Sequence, residues 1–332
     1  MIVRADCNHD LGYGHVVRTL TIAGSVGQRL GLQPVYAMAR GSDPGPVQKA
    51  GYQVVDAWED SAGLAAFIDR HPAADGPWLL DNYDLDAEDL NQMSAAGLCT
   101  AMLDDGCRLE FYPCDVVIDS SPSAPDSSYR GSPETRFCLG AEYFPLRPEF
   151  LEAPAGAPTP GDIVITFGGS DPDDQTARVL GALQAMEKPP TVTAILGPGY
   201  TGRARQYDGV NFVENAGSVV PYFRSASVAV CGGGGTALEL AHLGVPTIII
   251  AVADNQVRNG ESISANGAGR FLGLWDKISD FDVCSAVESL IADAAARAEM
   301  SAKGRTLVDG RSTDRIVDAI VAAWTDRVGQ RH

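Results

Sequence analysis

Short apolar runs alternate with longer amphipathic stretches along most of the chain, and this alternation limits the possible fold more than any other feature. Trp78-Leu79-Leu80 is one such run, and residues His15 to Leu30 have the spacing of an amphipathic helix. The pattern predicts β-strands joined by helices, as in a parallel sheet. Further runs that we interpret as buried strands begin at Ile2, Pro34, Gln53, Thr100, Ile163, Val192, Val210, Val228 and Pro246.

The alternation stops and restarts near the middle of the chain. Residues Glu152 to Gly161 are rich in proline, alanine and glycine, which sustain neither a strand nor a helix. A length of 332 residues also exceeds the roughly 250–300 residues at which single cores stop growing. We therefore predict domains at 1–152 and 161–332, with the last helices able to pack back on the first. The fold class is α/β, with two Rossmann-like domains facing a central cleft.

Composition and charge restrict the partners and the compartment. A formal net charge of −18 repels nucleic acid and anionic membranes, so we expect neither as a partner. The first six residues carry charges where a secretory signal needs an apolar run, and the seven cysteines form no C-x-x-C pair. We therefore expect a cytoplasmic monomer without a cofactor or a bound metal.

A glycine-containing loop leads directly into the first predicted helix. Gly12, Tyr13 and Gly14 precede His15, and Arg18 follows one turn later. The glycines permit a tight turn, and the positive end of the helix dipole disfavours a charged imidazole. A neutral His15 is able to accept a proton as a general base. A structural histidine at the helix start is the alternative.

Polar residues also follow two other strands of the first half. Asp81 and Tyr83 come directly after Trp78-Leu79-Leu80, and Asp105 follows the strand that ends at Leu103. Tyr83 offers a hydrogen-bond donor and acceptor, or simply covers the sheet. Asp105 is suited to orient a histidine or bind sugar hydroxyls, or else serves as a turn residue.

In the second half, two glycine-rich loops each join a strand to a helix. Their backbone amides and helix starts are suited to a diphosphate, although any loop of this type carries similar residues. The loop after Cys231 lacks the Gly-Lys-Ser/Thr ending of an ATP-hydrolysing P-loop. The candidate nucleotide-binding residues are Gly168, Gly169 and Ser170 in one loop and Gly233, Gly234, Gly235 and Thr236 in the other.

Three further polar residues complete the candidate site. Glu239 lies just inside the helix after the second loop, where it would accept bonds from ribose hydroxyls or complement the helix dipole. Asn255 and Gln256 follow the last apolar run, where their amides would reach sugar or phosphate groups or form an ordinary polar loop.

With these residues identified, the chain resembles the UDP-sugar hydrolase of pseudaminic acid biosynthesis and the related spore-coat polysaccharide proteins, a branch of the GT-B glycosyltransferase-like superfamily. The motifs that carry the resemblance span about residues 2 to 270 in order. They are Arg4-Ala5-Asp6, Gly12-Tyr13-Gly14-His15-Val16-Val17-Arg18, Asp81-Asn82-Tyr83, Leu103-Asp104-Asp105-Gly106, Gly140 to Phe150, Phe167 to Asp171 and Asn255-Gln256.

The resemblance implies a GT-B-like fold and metal-independent, inverting hydrolysis of a UDP-activated amino or deoxy sugar of the 2,4-diacetamido-2,4,6-trideoxy-hexose type. It implies that His15, Tyr83 and Asn255 act at the reacting centre. Gly12, Tyr13, Gly14, Arg18, Asp81, Asp105 and Gln256 are the expected substrate-binding residues. The four consecutive glycines at 232–235 look more like those of GT-B transferases. A cytosolic glycosyltransferase with the same donor site therefore stays open, as does a non-catalytic nucleotide-sugar-binding protein.

Overall fold

The computed structural model describes residues 1–8, 11–152, 162–214 and 216–329. The chain divides into two compact units, Met1–Arg147 with Arg311–His332, and Pro148–Gly310. The predicted linker falls almost entirely on residues 153–161, which lie outside the described residues.

The first unit contains a seven-stranded parallel sheet with the strand order β3-β2-β1-β4-β5-β6-β7. Because β1 lies between β2 and β4, the order reverses there, as in Rossmann-like sheets. The strands are β1 Ile2–Ala5, β2 Val35–Met38, β3 Gln53–Asp56, β4 Trp78–Asp81, β5 Thr100–Leu103, β6 Val116–Asp119 and β7 Arg136–Leu139. The helices between them are α1 Gly14–Leu30, α2 Gly45–Lys49, α3 Ser61–Arg70 and α4 Ala87–Ala95.

The second unit contains a six-stranded parallel sheet with the order β10-β9-β8-β11-β12-β13. This order repeats that of the first six strands of the other sheet, and it reverses between β8 and β11. The strands are β8 Asp162–Thr166, β9 Thr191–Leu196, β10 Val210–Glu214, β11 Val228–Cys231, β12 Thr247–Ala251 and β13 Arg270–Leu274. The helices are α5 Pro148–Leu151, α6 Gln175–Gln184, α7 Val220–Ser225, α8 Gly235–Leu243, α9 Asn255–Ala265, α10 Asp280–Ala292 and α11 Ala294–Leu307.

The last helix, α12 (Ser312–Gly329), is part of the first unit. Its apolar residues Ile316, Val317 and Ile320 share a buried cluster with Ile22 and Val26 of α1. Burying each such side chain contributes about 1.5–3 kcal/mol, so these contacts stabilise the packing of α12 on the first unit. The sequence-based division placed the C-terminal domain at 161–332 with the last helices able to return, whereas α10 and α11 stay in the second unit and α12 alone joins the first.

Both sheets are built as the sequence predicts for buried parallel strands, with near-continuous apolar runs. All four residues of β1, β4, β5, β6 and β11 are buried, as are all five of β12. The prediction of an α/β chain with two Rossmann-like domains is confirmed.

Candidate active site

The first site lies where the strand order of the first sheet reverses. The loop after β1 leads into α1, and the neighbouring strand β4, which pairs with β1 through Ala5 and Asp81, ends at Asp81. In open parallel sheets, the crevice at this point and at the carboxyl ends of the strands is the usual ligand site. The topology therefore brings His15, the second residue of α1, next to Asp81.

His15 and Asp81 form a hydrogen-bonded dyad. The Nδ1 atom of His15 lies 2.7 Å from Oδ1 of Asp81, whose side chain is fully buried. A carboxylate only accepts hydrogen bonds, so a bond to Asp81 requires the proton on Nδ1 and makes Nε2 the acceptor nitrogen of the neutral ring. Arg18 Nη2 lies farther from the same Nδ1, at 3.2 Å, and the shorter Asp81 contact favours this tautomer. The His15 side chain keeps 17% of its surface exposed. The arrangement suits an imidazole that accepts a proton through Nε2.

Arg18, one turn further along α1, joins two carboxylates. Its Nε and Nη2 donate to Asp81 at 2.6 and 2.7 Å, and its Nη1 and Nη2 donate to Asp105 at 2.9 and 2.8 Å. Paired contacts of this kind are the strongest that a guanidinium makes. Arg18 and Asp81 were expected to bind substrate, but both Asp81 oxygens are already bonded within the protein. Asp81 thus contacts His15 and Arg18, and the substrate-binding function of Arg18 and Asp81 stays a prediction.

The electrostatics of this cluster favour its charged form. Burial acts to raise the pKa of Asp105, but the Arg18 guanidinium and the hydrogen bonds from Arg18 and Tyr83 outweigh it, so the pKa lies below its usual value. Burial acts to lower the pKa of Arg18, but the carboxylates of Asp81 and Asp105 raise it well above its ordinary value. Both groups therefore stay ionised near neutral pH.

Tyr83 packs against the dyad. Its ring meets that of His15 edge to face with centroids 4.8 Å apart, and its hydroxyl donates to Oδ2 of Asp105 at 2.5 Å. Partial burial, followed by the Asp105 carboxylate, raises the pKa of Tyr83 well above its ordinary value. The hydroxyl therefore serves as a donor to Asp105, and the ring holds the imidazole.

The loop that precedes His15 is shaped by its glycines and by Tyr13. Gly12 has a φ of +76°, a left-handed conformation that favours glycine, and its N–H donates to the Asn8 carbonyl at 2.9 Å. Gly14 begins α1, and a Cβ there would meet nothing within 4 Å. The Tyr13 hydroxyl donates to Asp43 at 3.1 Å, and Tyr13 provides no side-chain cap for α1.

A buried polar layer lies next to the site, formed by residues that the sequence analysis named in motifs without giving them a function. Asp6 accepts from Arg4 Nη1 at 2.5 Å, from the backbone N–H of Ala39 at 2.7 Å and from Asn82 Nδ2 at 2.9 Å. Arg4 and Asp6 are only 5% and 7% exposed. In the sequence, this layer is signalled by a charged pair, Arg4 and Asp6, in an otherwise apolar stretch.

In the second unit, the loop after β11 leaves a helix start open. Gly234 is the N-cap residue of α8 and supplies no side-chain cap. Gly233 is buried, and a Cβ on it would lie 2.7 Å from the Gln256 carbonyl oxygen. A Cβ on Gly234, by contrast, would have its nearest neighbour 3.9 Å away, and Gly235 is exposed. The loop thus packs against α9 at Gly233, whereas its part at the start of α8, Gly234 and Gly235, is more open.

Gln256 supports this loop from α9. Its Oε1 accepts the N–H of Gly233 at 2.9 Å and that of Val252 at 3.2 Å. The side chain predicted to bind substrate therefore holds the loop after β11 and the loop after β12 together. Asn255, the first residue of α9, is exposed, and Thr236 and Glu239 are half-buried on α8.

The loop after β8 lies next to the loop after β11, since β8 and β11 are paired. Gly168 has a φ of +85°, and Gly169 and Ser170 follow it. The start of α6 is already occupied, because Asp171 accepts the N–H groups of Gln175 and Thr176, each at 2.8 Å. The loop backbone remains a candidate phosphate-binding site, whereas the first two N–H groups of α6 already donate to Asp171.

The predicted residues thus form two groups, one in each unit. His15, Arg18, Asp81, Tyr83 and Asp105 form one connected cluster, with Gly12, Tyr13 and Gly14 in the loop beside it. The second group lies on the loops and helix starts around β8, β11 and β12. Among the described residues, no helix is long and apolar enough to cross a membrane, and no three His, Cys, Asp or Glu side chains form a metal-binding group.

Comparison with protein families finds a match in the second unit. Residues 164–313 match the glycosyltransferase family 28 C-terminal domain. The spore coat polysaccharide biosynthesis protein SpsG of Bacillus subtilis is 23% identical over 193 residues, which is 55% of this chain and 57% of that protein. An uncharacterized protein of Methanocaldococcus jannaschii is 21% identical over 268 residues, 74% of this chain and 54% of that protein. These matches span little more than half the length of each curated relative.

Solved structures share the whole fold. MurG of Acinetobacter baumannii superposes with a TM-score of 0.69 at 14% identity, covering 97% of this chain and 99% of that one. The calicheamicin glycosyltransferase CalG4 gives a TM-score of 0.68 at 17% identity, covering 98% of each chain. The chain therefore has the GT-B glycosyltransferase-like fold.

Proposed function

We propose that this protein is an enzyme that transfers the glycosyl group of a nucleotide-activated sugar, with His15 as the general base. The carrying observation is the His15 Nδ1 contact to the fully buried Asp81 at 2.7 Å, which leaves Nε2 available for a proton. The GT-B-like fold and the family 28 match at residues 164–313 support nucleotide-sugar chemistry.

In this proposal, Nε2 of His15 removes a proton from the acceptor hydroxyl as its oxygen attacks the anomeric carbon. The bond from that carbon to the diphosphate breaks, and the nucleoside diphosphate leaves with the electron pair. Asp81 stabilises the imidazolium that forms and keeps the ring oriented, as the acidic member of a catalytic triad does. A diphosphate is a good leaving group, so no second carboxylic acid is required.

The second unit would hold the nucleotide. The uncapped amino end of α8 and the glycines before it present backbone N–H groups, which suit the oxygens of a diphosphate. Gly233, Gly234, Gly235 and Thr236 would lie at the phosphates, with Gly168, Gly169 and Ser170 in the neighbouring loop. Glu239, one turn into α8, would accept bonds from the ribose hydroxyls.

Two acceptors fit the same base. The glycosyltransferase neighbours and the family match favour a sugar or other organic hydroxyl. Water, which would make the protein a hydrolase of a UDP-activated amino or deoxy sugar, is favoured by the resemblance of the motifs around His15 to those of a UDP-sugar hydrolase. A non-catalytic binding protein would have no need for the buried Asp81 beneath His15.

We propose a cytoplasmic, monomeric enzyme that needs no metal.

The test is nucleoside diphosphate release from purified protein incubated with UDP-sugars, first without an acceptor and then with candidate hydroxyl acceptors. Release in water alone supports the hydrolase, and release that requires an added hydroxyl supports the transferase. Binding without any release, under both conditions and with a panel of UDP- and TDP-sugars, would leave only the binding protein.

A further inference from the structure

Tyr83 is held against His15 from two sides, although about half of its own surface is exposed. On one side, its hydroxyl donates to Asp105. On the other side, Arg108 Nη1 donates to the Tyr83 carbonyl oxygen at 2.9 Å, and the guanidinium carbon lies 4.8 Å from the centre of the Tyr83 ring. Arg108 therefore contacts both the backbone and the aromatic face of the residue that packs on the base.

Arg108 is itself fixed by a buried carboxylate. Its Nε donates to Asp104 Oδ1 at 2.8 Å, and its backbone N–H donates to Asp104 Oδ2 at 3.2 Å. The Asp104 side chain has no exposed surface, and it also accepts from the Tyr112 hydroxyl at 2.7 Å. The Tyr129 hydroxyl lies 2.9 Å from Asp104 and 2.7 Å from Asp119, and its one proton is shared between these two carboxylates. A carboxylate held by this many donors has little freedom to move, so it provides a rigid anchor for the guanidinium.

The backbone before Arg108 is unusual in a way that serves this contact. Cys107 has a φ of +59°, and Gly106 before it has a φ of +99°. A left-handed conformation at a non-glycine residue is strained and persists only where the surroundings enforce it. Here the Cys107 N–H donates to the Tyr129 hydroxyl at 2.9 Å, which secures the turn. The turn directs the chain so that Arg108 returns towards Tyr83.

We propose that Arg108 is a positioning residue that fixes the Tyr83 ring against His15 and so sets the orientation of the imidazole. Asp104 fixes Arg108, Arg108 fixes Tyr83, and the Tyr83 ring restrains the imidazole of His15. A lysine would keep the charge but not the planar pair of directed bonds or the flat contact with the ring. The geometric part of this inference stands without any reaction, while its kinetic consequence rests on the proposed function.

The direct test is the NMR signal of the His15 ring protons in protein labelled at histidine, with His15 assigned by its absence in H15N. The Tyr83 ring shifts the His15 signals because the two rings are in contact. Tyr83→Leu gives the signal of His15 without that ring. We expect Arg108→Ala to move the His15 signals most of the way to the Tyr83→Leu position, and Arg108→Lys to move them in the same direction by less.

Arg327→Ala is the matched control. Arg327 Nε donates to Asp115 at 2.7 Å, and its side chain has a similar exposure of 28% against 24% for Arg108. Asp115 precedes β6 and so lies at the amino ends of the strands, whereas Asp104 follows β5 at their carboxyl ends. Unchanged His15 signals in Arg108→Ala, or in Arg108→Lys if the alanine variant does not fold, would overturn the proposal. An equal shift in Arg327→Ala would overturn it as well, since it would show a general response to a lost ion pair.

Kinetics supply a second and separate readout. If the nucleotide sugar is turned over, Arg108→Ala should lower kcat by about ten- to a hundredfold, the scale expected for a misplaced catalytic group, with little change in KM. Arg327→Ala should leave kcat unchanged. A raised KM with full kcat would contradict a positioning function. If no sugar is turned over by any variant, the proposed function fails while the NMR result still decides the position of Tyr83.

Discussion

Oδ1 of Asp81 lies 2.7 Å from Nδ1 of His15, and the two residues come from opposite sides of the point where the first sheet reverses its strand order. The contact joins a residue at the start of a helix to the last residue of a buried strand. In the neutral tautomer that this contact favours, the proton on Nδ1 points to Asp81 and Nε2 is the nitrogen that can accept a proton.

Asp81→Asn should separate orientation from binding. An amide nitrogen can donate to Nδ1 and stabilise the opposite tautomer, so kcat should fall by about 10³- to 10⁴-fold, as in other dyads where the acid is amidated. The affinity for nucleoside diphosphate should not change, since it would be held by the second unit. Steady-state kinetics with calorimetry of UDP binding measure both. Asp115→Asn, another carboxylate paired with an arginine, should behave as the native protein.

Asp105→Asn should reduce stability in a manner that depends on pH. The folded-state pKa of Asp105 is lowered, so its stabilising contribution is complete above the unfolded pKa of about 3.9 and is lost as the pH falls further through the folded pKa. Removing the charge leaves Arg18 short of a partner, which should cost about 1–3 kcal/mol at neutral pH. Urea unfolding of both proteins over a pH series checks this, and the difference should shrink below about pH 4. A difference that grows in acid would contradict the assignment.

Gly233→Ala and Gly234→Ala should have different effects although the residues are adjacent. A Cβ on Gly233 would lie 2.7 Å from the backbone oxygen of Gln256, whereas on Gly234 its nearest neighbour is 3.9 Å away. Overpacking of this kind costs about 1–3 kcal/mol, so Gly233→Ala should lower the melting temperature. Gly234→Ala should melt close to the native protein and weaken UDP binding instead. Equal melting temperatures with equal UDP affinities would argue against a phosphate site at this loop.

Glu239→Ala should weaken nucleotide binding without affecting the base. Loss of the acceptor for the ribose hydroxyls should cost about 1–3 kcal/mol of UDP affinity. Glu288→Ala on α10 is the control, because Glu288 is exposed and lies on a different helix. Calorimetry that finds native affinity in Glu239→Ala would remove Glu239 from the nucleotide site.

The sequence was sufficient for the architecture because buried parallel strands leave a strong apolar pattern. The strands missed were β6, β7 and β13. Of these, β7 and β13 contain half-buried residues and begin with arginine, and β13 also contains Gly273 with a φ of +127°. The return of α12 to the first unit depends on its contact with α1, which no local pattern records.

The sequence also placed most of the candidate site residues near the carboxyl ends of parallel strands, because loops at these ends are recognisable by their position. It could not assign the hydrogen-bond partners of these side chains. Whether Asp81 faces a ligand or His15 depends on the pairing of β1 with β4 and on the turn before α1. Likewise, Arg108 lies two residues after the motif Leu103-Asp104-Asp105-Gly106, and its contact with Tyr83 depends on the folded turn at Cys107.

The most direct measurement of the central claim is the steady-state kinetics of His15→Asn with a nucleotide sugar that the native protein turns over. Asparagine can keep the hydrogen bond to Asp81 but has no nitrogen that accepts a proton, so kcat should fall by about a hundredfold or more while UDP affinity stays unchanged. His71→Asn, a change of the same type in the first unit, should keep the native kcat. A His15→Asn protein that retains its kcat and shows only a raised KM would contradict the assignment of His15 as the base.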